Sequence, residues 1–336
     1  ARTKLRCSCA RGKKYTRLRV TDYRPALCGV TAAFLTACGP AEGARDASTS
    51  PSQPQGTSRN AIAENARCES CHSEIAREWR ASAHRSAYEN PSFQQAIALE
   101  PLPFCKGCHA PEANPRRPEP ELAALGIACT TCHAIDDARS GRHTNDRPAT
   151  TKSCASCHEF GFPGTSMKMQ LTATEHRDSP FASRSCASCH MPPSQHGGTN
   201  HRFAASRDVH MLRSAAKIIG SRDGDELVIT FTRRAVGHAF PTGDLFRRLR
   251  VLARDAEGNL VSAELGRKTK LGPTADNRPF VRGDQTAIRL PIGSGAATFR
   301  VVYERVQHPL TEDESVAIVT ESVELARGAI EARGLE

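Results

Sequence analysis

Cys68-Glu69-Ser70-Cys71-His72 opens a series of five segments of the form Cys-x-x-Cys-His. The other four end in Cys105, Cys108 and His109, in Cys129, Cys132 and His133, in Cys154, Cys157 and His158, and in Cys186, Cys189 and His190. Two thiols three positions apart reach the two vinyl groups of one porphyrin, and the adjoining imidazole is thereby set under the ring to ligate the iron. With 13 His in 336 residues, chance would place a His after all five pairs with a probability on the order of 10⁻⁷. Zinc also takes Cys-x-x-Cys pairs, and an exported protein could oxidise them to disulfides. Zinc needs two half-sites per ion, so five pairs leave one over, and neither chemistry requires a His after every pair. The expected cofactors are five covalent haem c groups with their iron, held by the ten cysteines and ligated by the five motif histidines.

The composition around the motifs agrees. Between Ala61 and His210 only 11 Ile, Leu or Val and six Phe occur, 17 of 150 residues, too few to bury a core of side chains. Five flat macrocycles would supply the missing apolar area. The expectation for residues 61–210 is an α-helical, loop-rich pentahaem domain with the haems as its core. Attachment sites 24 to 37 residues apart leave little protein between neighbouring rings.

Ahead of this domain, residues 1–37 read as a secretory leader. They hold nine of the 46 Lys and Arg and one of the 36 Asp and Glu, and end in an uncharged run from Pro25 to Ala37. Leu35-Thr36-Ala37-Cys38 resembles the bacterial lipobox, which implies a lipoprotein with Cys38 as its acylated first residue, held on a membrane by more than one chain. A plain secretory signal with an incidental Cys is the alternative. Residues 38–60, rich in Ser, Pro, Gly and Gln, follow as a flexible tether. The expected location is the bacterial periplasm or cell envelope, at the inner membrane or, since Gly39 rather than Asp follows the Cys, the outer one. No apolar run of about 18 residues suggests a transmembrane span. Beyond residue 37 there remain 37 bases against 35 acids, so the basic character belongs to the leader and does not point to nucleic acid.

Eight histidines lie outside the motifs, at positions 84, 143, 176, 196, 201, 210, 238 and 308, more than five distal ligands require. Ser73 to Tyr88 lacks Gly and Pro and is expected to be helical, which would put His84 about 18 Å from His72 and make it the ligand of another iron. His201 follows Gly197-Gly198, a flexible approach that lets it fold back over a ring. His143 and His176 lie in polar stretches between later motifs, as ligands or as solvated side chains. His196, His210 and His308 read as ordinary structural or surface residues. With four Met in all, His rather than Met is expected on the second face of the irons.

From Met211 the composition changes: 35 of 126 residues are Ile, Leu, Val or Phe, and Cys is absent. Short strand candidates at Glu226 to Thr232, Leu249 to Ala253, Leu260 to Leu265, Thr286 to Leu290, Thr298 to Tyr303 and Val316 to Thr320 alternate with turn signals. A β-sandwich domain, immunoglobulin-like, is expected over residues 211–336. The loop Gly237-His238-Ala-Phe240-Pro241-Thr242-Gly243 holds a His between glycines, as an axial ligand donated to the haem domain or as a turn residue.

Cys68 to His72 followed by Trp79, Ser82 and His84 resembles the opening of multihaem c-type cytochromes similar to the tetrahaem electron acceptor of hydroxylamine oxidoreductase. Cys189-His-Met-Pro192, His201-Arg-Phe203 and the Gly237 to Gly243 loop resemble exported members with a C-terminal β domain. The likeness covers about Ala61 to Arg250. It implies stacked haems with two His ligands each for the most part, with His84, His201 and His238 matching best, and electron transfer between redox partner proteins. Five motifs instead of four depart from the pattern, so pairing haem by haem does not carry over. No Cys-x-x-Cys-Lys variant, resembling the catalytic site of pentahaem nitrite reductases, occurs. The expected function is a membrane-anchored electron carrier with no catalytic residue. Two alternatives stay open: a reductase or oxidase of small nitrogen or sulfur species with one open iron, and a partner-binding module with accessory haems.

Overall fold

The computed structural model describes residues 60–133, 150–270, 272–307 and 317–334. The leader, Cys38, the tether up to residue 59, His143 and His308 lie outside the described residues. All described residues belong to one compact unit, Pro51–Glu336.

Its first half is built of short helices: α1 (Ala61–Cys71), α2 (Ser73–Arg80), α3 (Pro91–Leu99), α4 (Pro103–His109), α5 (Pro120–Ala124), α6 (Cys129–His133), α7 (Thr151–His158), α8 (Thr172–Arg177), α9 (Ala187–His190) and α10 (Val209–Ser214). A small hairpin, β1 (Glu159–Gly161) and β2 (Lys168–Leu171), separates α7 from α8. Polar caps start several of the helices. Asn60, Asn90 and Thr150 accept backbone N–H groups of α1, α3 and α7, and Pro opens α3, α4 and α5. Each Cys-x-x-Cys-His closes a helix, with His72 as the C-cap of α1 and the other four motif histidines as last helical residues. Helical spacing puts the two thiols of a motif on one face.

Among the described residues from 60 to 210, the buried apolar side chains are Trp79 and six alanines: Ala61, Ala76, Ala110, Ala113, Ala123 and Ala128. Alanines bury little area, so the polypeptide by itself has almost no core here.

One helix is shorter than its composition suggests. The chain leaves helical geometry at Arg80 and continues in turns as far as Glu89, so His84 sits on a turn and the helical distance from His72 does not apply. Tertiary hydrogen bonds outweigh local propensity. Trp79 Nε1 donates to Ile127 O (2.7 Å), Ile127 N–H donates to His84 O (2.9 Å), and the buried Ser82 Oγ accepts from Arg85 N–H. Gly126, with φ of +61°, makes that contact possible, because a Cβ there would collide with the carbonyl oxygens of His84 and Arg85.

The second half consists of β3 (Ala216–Asp223), β4 (Glu226–Arg233), β5 (Arg247–Arg254), β6 (Leu260–Lys270), β7 (Gly272–Asp276), β8 (Gln285–Pro291), β9 (Ala297–Val306) and β10 (Val319–Ile330). They form two antiparallel sheets, ordered β3-β4-β8 and β10-β9-β5-β6-β7. One cluster of buried side chains draws on both, with Leu227, Ile229, Phe231 and Leu290 from the first and Leu249, Val251, Leu265, Phe299 and Val301 from the second. Five of the six expected strands lie within observed ones. The last strand starts later, and β3 and β7 had no counterpart. Both are edge strands: β3 alternates half-buried with exposed residues and carries Lys217, Ser221 and Arg222, and β7, Gly-Pro-Thr-Ala-Asp, has the composition of a turn, which only an edge tolerates.

Between β5, β6 and β9 lies a buried ion triad. Arg248 donates to Glu304 Oε2 (2.7 Å) and to Glu264, with all three side chains almost wholly enclosed. Removing the cation leaves two carboxylates buried without it, so Arg248→Ala should cost about 3–5 kcal/mol. Chemical denaturation followed by circular dichroism checks this, and a loss below about 1 kcal/mol would contradict it.

Candidate haem centres

The ten described cysteines are free, and among the described residues no group of three or more His, Cys, Asp or Glu is arranged to hold a metal ion directly. The thiols of different motifs instead lie close to one another. Cys129 lies near Cys68, Cys132 near Cys157, Cys157 beside Cys108, and Cys154 beside Cys186. The fourth motif thus touches the second and the fifth, and lies near the third, which lies near the first.

Two imidazoles bound to opposite faces of one metal, at metal–nitrogen distances of about 2 Å, have ring centroids about 6 Å apart. In three places the structure sets a motif His and a distant His at that separation. His133 and His201 are 6.2 Å apart with 34° between planes, His158 and His84 6.2 Å with 47°, and His190 and His238 6.3 Å with 8°. The outer nitrogens are tied back. The Nδ1 atoms of His109, His190, His201 and His238 lie 2.7–2.9 Å from the carbonyls of Ala87, Ala204, Thr199 and Ala239. A donated Nδ1–H leaves the Nε2 lone pair free for a metal. His158 Nδ1 meets the Gln170 side-chain amide at 3.0 Å, while His84 Nδ1 is buried without a protein partner. Burial holds His84, His158 and His238 down to about pKa 4, so all three rings are neutral, the form a metal takes.

Each distal ring is presented by a different device. His84 is held through its own carbonyl by the turn at Gly126 and Ile127. His201 ends a loop whose polar groups converge on Glu78 of α2. His238 lies between β4 and β5 on a loop clamped by two arginines. Arg233 donates to Val236 O (2.8 Å) and His238 O (3.1 Å), and Arg278 to Pro241 O (2.7 Å) and Glu175 of α8 (2.7 Å). Thr242 donates to Glu175 as well, at 2.5 Å, so the loop is fastened to the helical half. Glu78, Arg278 and Gly126 escape a reading of the sequence because their partners are far away along the chain, and Arg233 because its bonds to Val236 O and His238 O are made to backbone and leave no side-chain pattern.

The remaining candidates are placed otherwise. His176 of α8 packs against Gly237, where a Cβ would come within 3.1 Å of its ring. His196 Nε2 is 3.3 Å from Glu74, and His210 is exposed. Among the described residues no imidazole faces His72 or His109 at 6.2–6.3 Å, and the His109 ring instead stacks on Phe93 at 3.8 Å and 6°. Paired thiols on helix faces, imidazoles facing each other across a metal-sized gap, and a helical half with almost no side-chain core fit covalently bound haem, with the cysteines as attachment points and His133, His201, His158, His84, His190 and His238 as iron ligands.

Residues 67–134 match the model of the family described as cytochrome c554 and c-prime. Among solved structures, the penta-heme cytochrome c552 from Thermochromatium tepidum aligns over 80% of this chain and 97% of its own, at 18% identity and a TM-score of 0.56. The fold is that of a multihaem c-type cytochrome. MtrC from Shewanella baltica OS185 aligns over 61% of this chain and 35% of its own, at 16% identity and a TM-score of 0.19, too low to bear on the fold. A comparison with curated proteins finds no match. Covalently bound haem c is what the cytochrome c family implies for these motifs. No helix among the described residues is long and apolar enough to cross a membrane.

Proposed function

We propose that this multihaem cytochrome is a short electron conductor of the cell envelope, with five haem c groups at the five motifs, passing electrons between redox partner proteins. The observation that carries the reading is the set of three histidine pairs at 6.2–6.3 Å, each joining a motif to a ring from elsewhere in the chain. An iron closed on both faces by imidazole exchanges single electrons without taking up a substrate. The polypeptide's part is to keep His84, His158 and His238 neutral by burial, to fix the tautomers of His190, His201 and His238 through backbone carbonyls and to bring the motifs near one another. The adjacency of thiols from motif to motif supports a continuous route. The family match over residues 67–134 and the resemblance to the tetrahaem acceptor of hydroxylamine oxidoreductase support partner proteins as donor and acceptor.

We further propose Cys38 as a lipid anchor, on the strength of Leu35-Thr36-Ala37-Cys38, which would keep the carrier at a membrane surface. The strand orders β3-β4-β8 and β10-β9-β5-β6 support an immunoglobulin-like sandwich for the β half. That half donates His238, which gives it a role in ligation beyond docking a partner.

A second reading, small-molecule chemistry at an iron with an open face, is favoured by one observation: among the described residues His72 and His109 lack a facing imidazole. Electron paramagnetic resonance of the oxidised protein separates the two. The carrier reading expects at least three low-spin ferric centres, no change in their signals on adding nitrite or hydroxylamine, and no shift of the visible absorption bands of the reduced protein on adding carbon monoxide. A high-spin centre that binds one of these replaces it with the second reading, and colourless protein ends both.

A further inference from the structure

Glu78 is 6% exposed, lies six residues after His72 and belongs to no haem-binding motif. Burying a carboxylate is costly unless its oxygens are hydrogen-bonded. All of its hydrogen-bond partners come from one loop more than a hundred residues away. Oε1 accepts from Ser194 Oγ (3.0 Å) and Asn200 Nδ2 (3.2 Å), and Oε2 accepts from the His201 backbone N–H (2.8 Å). Every one of these contacts needs an acceptor, so the group serves as a carboxylate.

Apart from Glu78, the loop meets α2 at an exposed contact, His196 Nε2 at 3.3 Å from Glu74. Residues 195–199 are exposed, and the turn runs through Gly197 and Gly198 at φ of +86° and +68°. A bridge between Pro193 and Thr199 and the Ser194 N–H to Gly198 O bond (3.0 Å) close the loop on itself, without attaching it to the helices. At its end stands His201, whose ring faces His133. A loop of this kind, exposed and rich in Gly, keeps its place only through the bonds that tie it down.

We propose that Glu78 is the positioning residue for His201: its carboxylate holds that imidazole opposite His133 and sets a fixed negative charge beside the centre the two rings would share. This rests on the reading of His133 and His201 as ligands of one iron. The assignment also links two centres. Glu78 belongs to α2, which begins directly after the first motif, so the helix that leaves one attachment site places the distal ring of another. A fixed anion favours the more positive, oxidised state of a nearby iron, so Glu78 should lower the midpoint potential of that centre.

The test uses the full-length, haem-loaded protein, with His201→Ala as reference and electron paramagnetic resonance and redox titration as readouts. His201→Ala should turn one low-spin centre high-spin. Glu78→Ala should turn half or more of that same centre high-spin at unchanged haem content, and added imidazole should restore the low-spin signal. Glu78→Gln keeps the volume but puts an NH₂ where an acceptor is needed. It should give a smaller high-spin fraction and a higher midpoint for that one centre. If Glu78→Ala does not assemble, Glu78→Gln alone decides. Wild-type spin states and midpoints in the assembled Glu78 variants, beside a converted centre in His201→Ala, would overturn the assignment and spare the ligand reading. An unaltered His201→Ala spectrum would overturn both.

Discussion

His238→Ala should turn one low-spin ferric centre high-spin and raise its midpoint potential by on the order of 100 mV, since axial ligation sets haem potentials over several hundred mV. The His238 ring stands 6.3 Å from that of His190 at 8° between planes, and burial keeps it neutral. Arg233 and Arg278 hold the loop through backbone carbonyls, contacts that do not involve the imidazole. The side chain belongs to neither the buried cluster of the β half nor an ion pair, so the loop should survive its loss. Thermal denaturation should therefore change little while the spectrum changes at one centre. A variant with every centre still low-spin would remove His238 from the ligands, and with it the ligating role of the β half.

Replacing Cys154 and Cys157 together by Ser should abolish the folded state of the helical half. The fourth motif is the one whose thiols neighbour three others. A porphyrin burying a few hundred Å² contributes on the order of 10 kcal/mol, comparable to the whole stability of a domain, about 5–15 kcal/mol. Side chains cannot replace it where the buried apolar set among the described residues is one Trp and six Ala. The expected result is loss of most helical circular dichroism and rapid cleavage by protease between residues 61 and 210. A variant that merely lacks one haem, with native helix content, would show that the polypeptide has a core of its own.

Much of this molecule can be read from local pattern. A Cys-x-x-Cys-His segment would bind a porphyrin through residues within one helical turn, so the five proposed attachment sites need no tertiary information. The change near Met211 from sparse to abundant Ile, Leu, Val and Phe is likewise visible in composition, and five of six strand candidates lie within strands. Edge strands escaped, since β3 carries Lys217, Ser221 and Arg222 among its apolar residues and β7 has the composition of a turn.

Pairing is another matter. The sequence by itself determined which residues carry thiols and imidazoles, and that the first half lacks apolar side chains for a core. Only the tertiary structure decided that His84 faces His158, that His201 faces His133 and that His238 faces His190. These choices depend on hydrogen bonds between residues tens to more than a hundred positions apart: Ile127 to His84, the 194–201 loop to Glu78, and the 236–242 loop to Arg278 and Glu175. Such bonds leave no periodicity in the chain, because each is one donor meeting one acceptor once the backbone has already folded.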